Sequence, residues 1–316
     1  MTRSSLLYLL LGNRFHTVDL VTAEQREMKR WSGAGLAGLM AATSLWGCCS
    51  AGLALLGSQR AAPLVALGAA VPLLVVAVAG GRRPWRELRA NPGTYLRLGF
   101  LEAANISMYV AALAIGPVGV VVALHLASPI LLLAGAVMSG ARKLSTPIVI
   151  EAGLLVAAVA VVSMRPGIET STTAALLGCV LALGSAAAVT ALIILVARES
   201  RRGDPIVSAG LQLAVAGLLT TPLLVTTATG SWQHMAIEVS LGAALLGPGF
   251  AAYWYGIAHL SAPTAGVLGL NEAVVAASVV AAVDSSRISV QTIAAGALVA
   301  AAVVLDTVWG VEIREE

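Results

Sequence analysis

The chain has 316 residues, of which 58% are hydrophobic and 11% charged, and its formal net charge is +3. A soluble domain carries roughly 25% charged residues, so this composition excludes an ordinary water-soluble protein, and the mean hydropathy of +0.90 points to a membrane. The small positive excess is read as topology and contact with anionic lipid headgroups, not as a nucleic-acid footprint.

Residues 1–30 precede the first apolar block. Their LLYLLL run is too short for the core of a removable signal, so a cytoplasmic tail resting near the membrane surface is expected. Ten apolar blocks follow, at 33–57, 61–79, 96–116, 117–139, 147–164, 174–196, 205–227, 241–261, 263–283 and 289–309. Each is about 20 residues long, the length at which a helix rising about 1.5 Å per residue crosses about 30 Å of hydrocarbon. Membrane strands would show shorter, alternating segments. Ten transmembrane helices are therefore predicted.

The connections are short, and Pro117, Pro147, Pro205 and Pro263 stand at or just before the next helix, where the missing N–H has no helical partner to lose. With the N-terminus inside, 16 of the 19 Lys and Arg fall on the cytoplasmic side; only Arg60, Arg165 and Arg287 fall outside. That split places both termini in the cytoplasm. Within the cytoplasmic set, GRRPWRELRANPGTYLR (81–97) is read as a headgroup-facing stretch. Cys48, Cys49 and Cys179 lie inside predicted helices without metal-ligand spacing and read as packing residues.

The chain contains a duplication. YVAALAIGPVGVVVALHLASPILLL (109–133) and YGIAHLSAPTAGVLGLNEAVVAA (255–277) share a tyrosine, a proline eight residues after it, and a following helix interrupted by polar groups. Five helices per half is an odd number, so the halves, 31–166 and 167–316, enter the membrane in opposite senses. Inverted repeats of this kind build many secondary transporters, with the site between the halves. Small residues at every fourth position, Ala34, Gly38 and Ala42 on the first helix and Gly178, Ala182 and Ala186 on the sixth, let backbones approach. The same pattern would serve contacts between two copies, so a homodimer is one arrangement the sequence allows.

LWG (45–47), ALAIGPVGVVVALHLASP (112–129), GCVLALGSAAAVTALIIL (178–195) and AHLSAPTAGVLGLNEAVVAA (258–277), set in ten helices, resemble the EamA branch of the drug/metabolite transporter superfamily. Within it the chain is most similar to bacterial threonine/homoserine exporters, although His125 stands where those exporters carry Glu. The resemblance implies export of a small solute such as an amino acid across the bacterial inner membrane.

Ionisable residues at membrane depth carry the site prediction, because a charge at the centre of a helix costs about 2.5–3.5 kcal/mol to insert. Glu102, Asn105 and Tyr109 lie at i, i+3 and i+7 and share one face of the third helix. His125 sits mid-helix on the fourth, four residues before Pro129, whose missing N–H frees the His125 carbonyl. Asn271 and Glu272 occupy the related place on the ninth helix. Glu102, His125 and Glu272 are expected to line one cavity, with His125 and a carboxylate exchanging protons and Asn105, Tyr109, Trp46 and Trp254 contacting a polar solute. Gln212 is a further polar contact, while His259, Glu151 and Asp306 read as interfacial. No HExxH, Walker A, GxSxG or paired-aspartate motif occurs, so neither an enzyme nor a metal or cofactor is expected. Helix number by itself leaves a channel or scramblase open beside a carrier, whether coupled to protons or exchanging solutes without them.

Overall fold

A computed structural model describes residues 33–56, 62–115, 121, 124–140, 145–163, 172–226 and 231–283, together with 290, 293–294, 296–298, 301–302 and 304–305. The predicted tail at 1–30, most of the tenth predicted helix with Asp306, the side chain of Glu151, and Arg60, Pro117, Arg142, Lys143, Arg165 and Arg287 lie outside these residues.

The described residues are almost wholly helical and contain no strand. In chain order the helices are α1 (Gly33–Leu56), α2 (Ala62–Ala79), α3 (Pro84–Ala90), α4 (Pro92–Ile115), α5 (Ser128–Met138), α6 (Thr146–Ser163) and α7 (Thr172–Glu199). Then come α8 (Pro205–Thr220), α9 (Pro222–Thr226), α10 (Trp232–Leu241), a π turn at Gly242–Leu246, α11 (Gly247–Ile257), α12 (Ala262–Gly269) and α13 (Asn271–Val283). Five helical stretches are long and apolar enough to cross a membrane: Gly33–Leu53, Ala62–Ala79, Thr173–Glu199, Trp232–Ile257 and Ala262–Val280. Helix α4, 24 residues long, carries Arg97, Glu102 and Asn105 and is not among them. This is the architecture of an all-α, multi-pass membrane protein.

The outward faces explain why water is the wrong solvent. Val71, Val75, Val76 and Val78 on α2 and Leu176, Leu177 and Val180 on α7 are all more than half exposed. Side chains of this kind find no polar surroundings to tolerate them except lipid.

Inside, small residues set the spacing. A Cβ on Gly256 of α11 would lie 2.8 Å from the Leu39 nitrogen and 2.9 Å from the Gly35 oxygen of α1, and one on Gly47 would lie 2.6 Å from the Glu272 oxygen of α13. Gly242 at the π turn is pressed in the same way against the backbone of Val65 on α2. Of the sequence-predicted small faces, Ala42, Ala182 and Ala186 are fully buried, and Gly38 meets Tyr255 and Gly256. Helix α1 packs along α11 and α13, α4 along α7 and α8, and α2 along α8.

Local signals fix several starts. Asp204 caps α8, accepting from the nitrogens of Ile206 and Val207 at 3.0 and 3.1 Å, with Pro205 at the first helical position. Arg82 reaches across from the end of α2 to the same carboxylate at 2.7 Å. Ser261 caps α12, and Pro263 follows it.

Several predicted spans differ from the observed helices, the seventh among them, since Thr221 parts α8 from α9. The third begins earlier, at Pro92, behind the separate seven-residue α3; the eighth begins at Trp232 and runs through the π turn. The ninth is two helices, broken at Leu270. A comparable interruption falls at Leu126–Ala127, just after His125 and before Pro129. At both breaks the chain tightens to i→i−3 bonds, Ala127 N to Leu124 O at 3.2 Å and Leu270 N to Val267 O at 3.1 Å.

Candidate functional site

The inward face of α4 organises the polar groups. Glu102 is only 7% exposed, deep in an otherwise apolar bundle. Its Oε2 accepts from Gln212 Nε2 of α8 at 3.0 Å, and Gln212 Oε1 in turn accepts from Trp254 Nε1 of α11 at 2.9 Å. The Asn105 side chain, one turn along α4, lies close enough to Glu102 to act on its carboxylate. Three helices are thus joined through one carboxylate, and each buried donor has its acceptor.

One turn further, Asn105 Oδ1 accepts from Ser185 Oγ of α7 at 2.7 Å, and that hydroxyl stands 2.9 Å from His125 Nδ1. The imidazole stacks on Tyr109, ring centres 4.1 Å apart and planes inclined by 29°. The face predicted from the spacing of Glu102, Asn105 and Tyr109 is therefore occupied by one connected network ending on His125.

The second carboxylate belongs to another group. Asn271 Nδ2 donates to Thr43 Oγ1 at 3.0 Å and Ser44 Oγ at 3.2 Å, and Ser50 Oγ donates to Glu272 Oε1 at 2.8 Å, tying α13 to α1. Glu272 nevertheless lies within electrostatic reach of Glu102 and of Tyr109. Trp46, on α1 between these contacts, packs on Phe250 at 4.8 Å and Tyr253 at 5.0 Å, and its buried Nε1 has no hydrogen-bond partner among the described residues.

All eight predicted residues are thus accounted for. Glu102, Asn105, Tyr109 and His125 form one network; Trp254 joins it through Gln212; Asn271, Glu272 and Trp46 form the α1 side. Four members went unpredicted, Ser44 on α1 among them. Ser185 and Ser50 look in sequence like any small residue in a membrane helix, and Thr43 lies within the small-residue face beside Ala42. Gln212 was legible as a lone amide in an apolar block. His259 stands apart, its Nδ1 near the Tyr255 carbonyl oxygen at 2.9 Å, on an exposed surface.

Among the described residues no His, Cys, Asp or Glu group is arranged to hold a metal ion. A surface recess of about 410 Å³ at Ala236, Ile237, Ser240, Leu241, Ala244 and Leu245 is almost wholly apolar and includes none of the polar groups above.

No family model matches this chain, and no curated protein matches it. Twenty-one chains of solved structures do match. One, described as "Crystal structure of protein", is 20% identical, covers 89% of this chain and 99% of its own, and superposes with a TM-score of 0.71. At that identity the likeness is one of fold.

Proposed function

We propose that the chain is a secondary active transporter of the EamA branch of the drug/metabolite transporter superfamily, exporting a small polar or amphipathic solute by alternating access in exchange for protons. In this reading ten spanning helices form two inverted halves of five, the polar network lies between them, and both termini are cytoplasmic.

The observation that carries the reading is the pair of interrupted helices. Tyr109 and Tyr255, and likewise Pro117 and Pro263, are separated by the same 146 positions, which sets His125 against Asn271. Both fall beside a break, at Leu126–Ala127 and at Leu270. Broken helices bearing polar groups are tolerated in a membrane only where they line a protein interior or a wet cavity, and carriers place substrate and coupling ions there. Reciprocal packing gives further support: the first helix of each half lies on the third of the other, α1 on α11 and α7 on α4, while α2 lies on α8. Conduction through an open pore would not require two ionisable groups so enclosed, whereas a proton carrier does.

The test is flux in proteoliposomes. Solute accumulation against its gradient, driven by an imposed pH difference and lost in Glu272→Gln, is the expected result. Downhill flux at channel rates, indifferent to the pH difference, would overturn the assignment.

A further inference from the structure

The network has a direction. Ser185 Oγ donates to Asn105, whose side-chain and backbone oxygens stand 2.7 and 3.1 Å from it. The single hydroxyl proton of Ser185 is committed there, and Ser185 must accept from His125 Nδ1. The ring is thereby held as the Nδ1–H tautomer, and its Nε2 carries a lone pair. From the other side Trp254 donates to Gln212 and Gln212 to Glu102. Glu102 is the terminus of that donor chain, a carboxylate already supplied with a partner. Among the described residues Glu272 receives only the Ser50 hydroxyl.

Four acceptor groups are left over, beside one donor, Trp46 Nε1. The second oxygen of Glu272, His125 Nε2 and the hydroxyls of Tyr109 and Tyr253 have no hydrogen-bond partner among the described residues. Tyr253 is only 6% exposed, and it lies within electrostatic reach of Glu102. Among the described residues only Trp46 Nε1 and Ser145 Oγ are fully buried without a partner, so these four acceptors are open to water or to a solute that displaces it. All four can accept, and His125 Nε2 and an ionised Glu272 can only accept. The helices that carry the network hold no Lys or Arg except Arg97 and Arg198 near their ends.

Resting on the transporter reading above, we infer that the solute is a primary amine carried as its ammonium ion, without a carboxylate of its own. The ammonium N–H groups meet Glu272 and His125 Nε2, with the Tyr109 hydroxyl oxygen beside them. The apolar body lies against Trp46 and Tyr253, aromatic faces that also favour a cation. An amino acid would bring a carboxylate into surroundings already holding Glu102 and Glu272, with no cation to meet it.

The discriminating experiment uses three probes with one phenyl body: phenethylamine, L-phenylalanine and 3-phenylpropionate. Binding to the purified full chain in nanodiscs is measured by calorimetry near pH 7.5, and pH-driven flux of each is measured in proteoliposomes. Phenethylamine is expected to bind at least about tenfold tighter than phenylalanine, a difference of about one decade in Kd, and phenylpropionate not at all. His125→Asn, which keeps a donor for Ser185 but lacks the Nε2 acceptor, should weaken the amine by about tenfold and leave the order of the probes unchanged. Phenylalanine binding as well as or better than phenethylamine overturns the inference even if its flux is proton-driven, in which case the transporter reading stands. Amine-selective binding without proton-driven flux of any probe supports the site and overturns the transporter reading. Absence of amine binding up to about 10 mM, weaker than any useful carrier affinity, overturns the inference.

Discussion

Replacing Gln212 with Leu tests whether the buried bridge is as tightly coupled as its geometry implies. The change keeps the volume of the side chain but removes both of its hydrogen bonds, at 2.9 and 3.0 Å. The two ends are not hurt equally. Glu102 loses one interhelical bond, worth about 0.6 kcal/mol on average within membranes. Trp254 is 1% exposed and keeps no partner for Nε1 among the described residues, so an orphaned buried donor adds about 1–3 kcal/mol. The expected loss is about 2–4 kcal/mol, on the order of 5 °C or more in Tm for a chain of this size. The assay is thermal unfolding of the purified protein in detergent, run as a cycle with Trp254→Phe. If Trp254 is what suffers, the double variant loses less than the sum of the singles by about 1 kcal/mol or more. Strict additivity of the two substitutions would refute the reasoning.

Other outcomes follow from the same structure. Gly256→Ala should destabilise by about 1–3 kcal/mol, because its Cβ would meet backbone atoms of Leu39 and Gly35 at 2.8 and 2.9 Å and those cannot step aside; an unchanged Tm in the same assay would contradict this. At the helix start, Asp204→Ala removes a cap worth about 1 kcal/mol together with the Arg82 contact, whereas Arg82→Ala removes only a part-exposed pair worth about 0–1 kcal/mol. Asp204→Ala should therefore show the larger fall in Tm, and the reverse order would contradict the cap. In flux measurements Glu272→Gln and His125→Asn should each lower proton-driven transport at least tenfold with normal membrane expression, while His259→Asn, on the exposed surface, should leave it within about twofold.

The helical periods and the membrane setting were legible because each block is apolar over its whole length, a property of single residues that needs no partner to be recognised. The shared face of Glu102, Asn105 and Tyr109 was legible for a similar reason, since a spacing of three and four fixes direction once a helix is assumed. Ser50 and Ser185 were not. Their role depends on which carboxylate or imidazole stands opposite, at separations of 222 and 60 residues along the chain. The break at Leu270 was hidden too, because no proline marks it and the polar pair Asn271 and Glu272 was read as part of one span, 263–283. By contrast, the interruption beside His125 was foreshadowed by Pro129.

The seam between α1 and α11 has a mechanical side. At Gly38 and Gly256 the two helices face one another nearly main chain to main chain, and smooth surfaces of this kind can glide where meshed side chains would have to unlock first. If the two halves rock, this is the bearing on which they turn, and a single methyl group placed there would act as a brake.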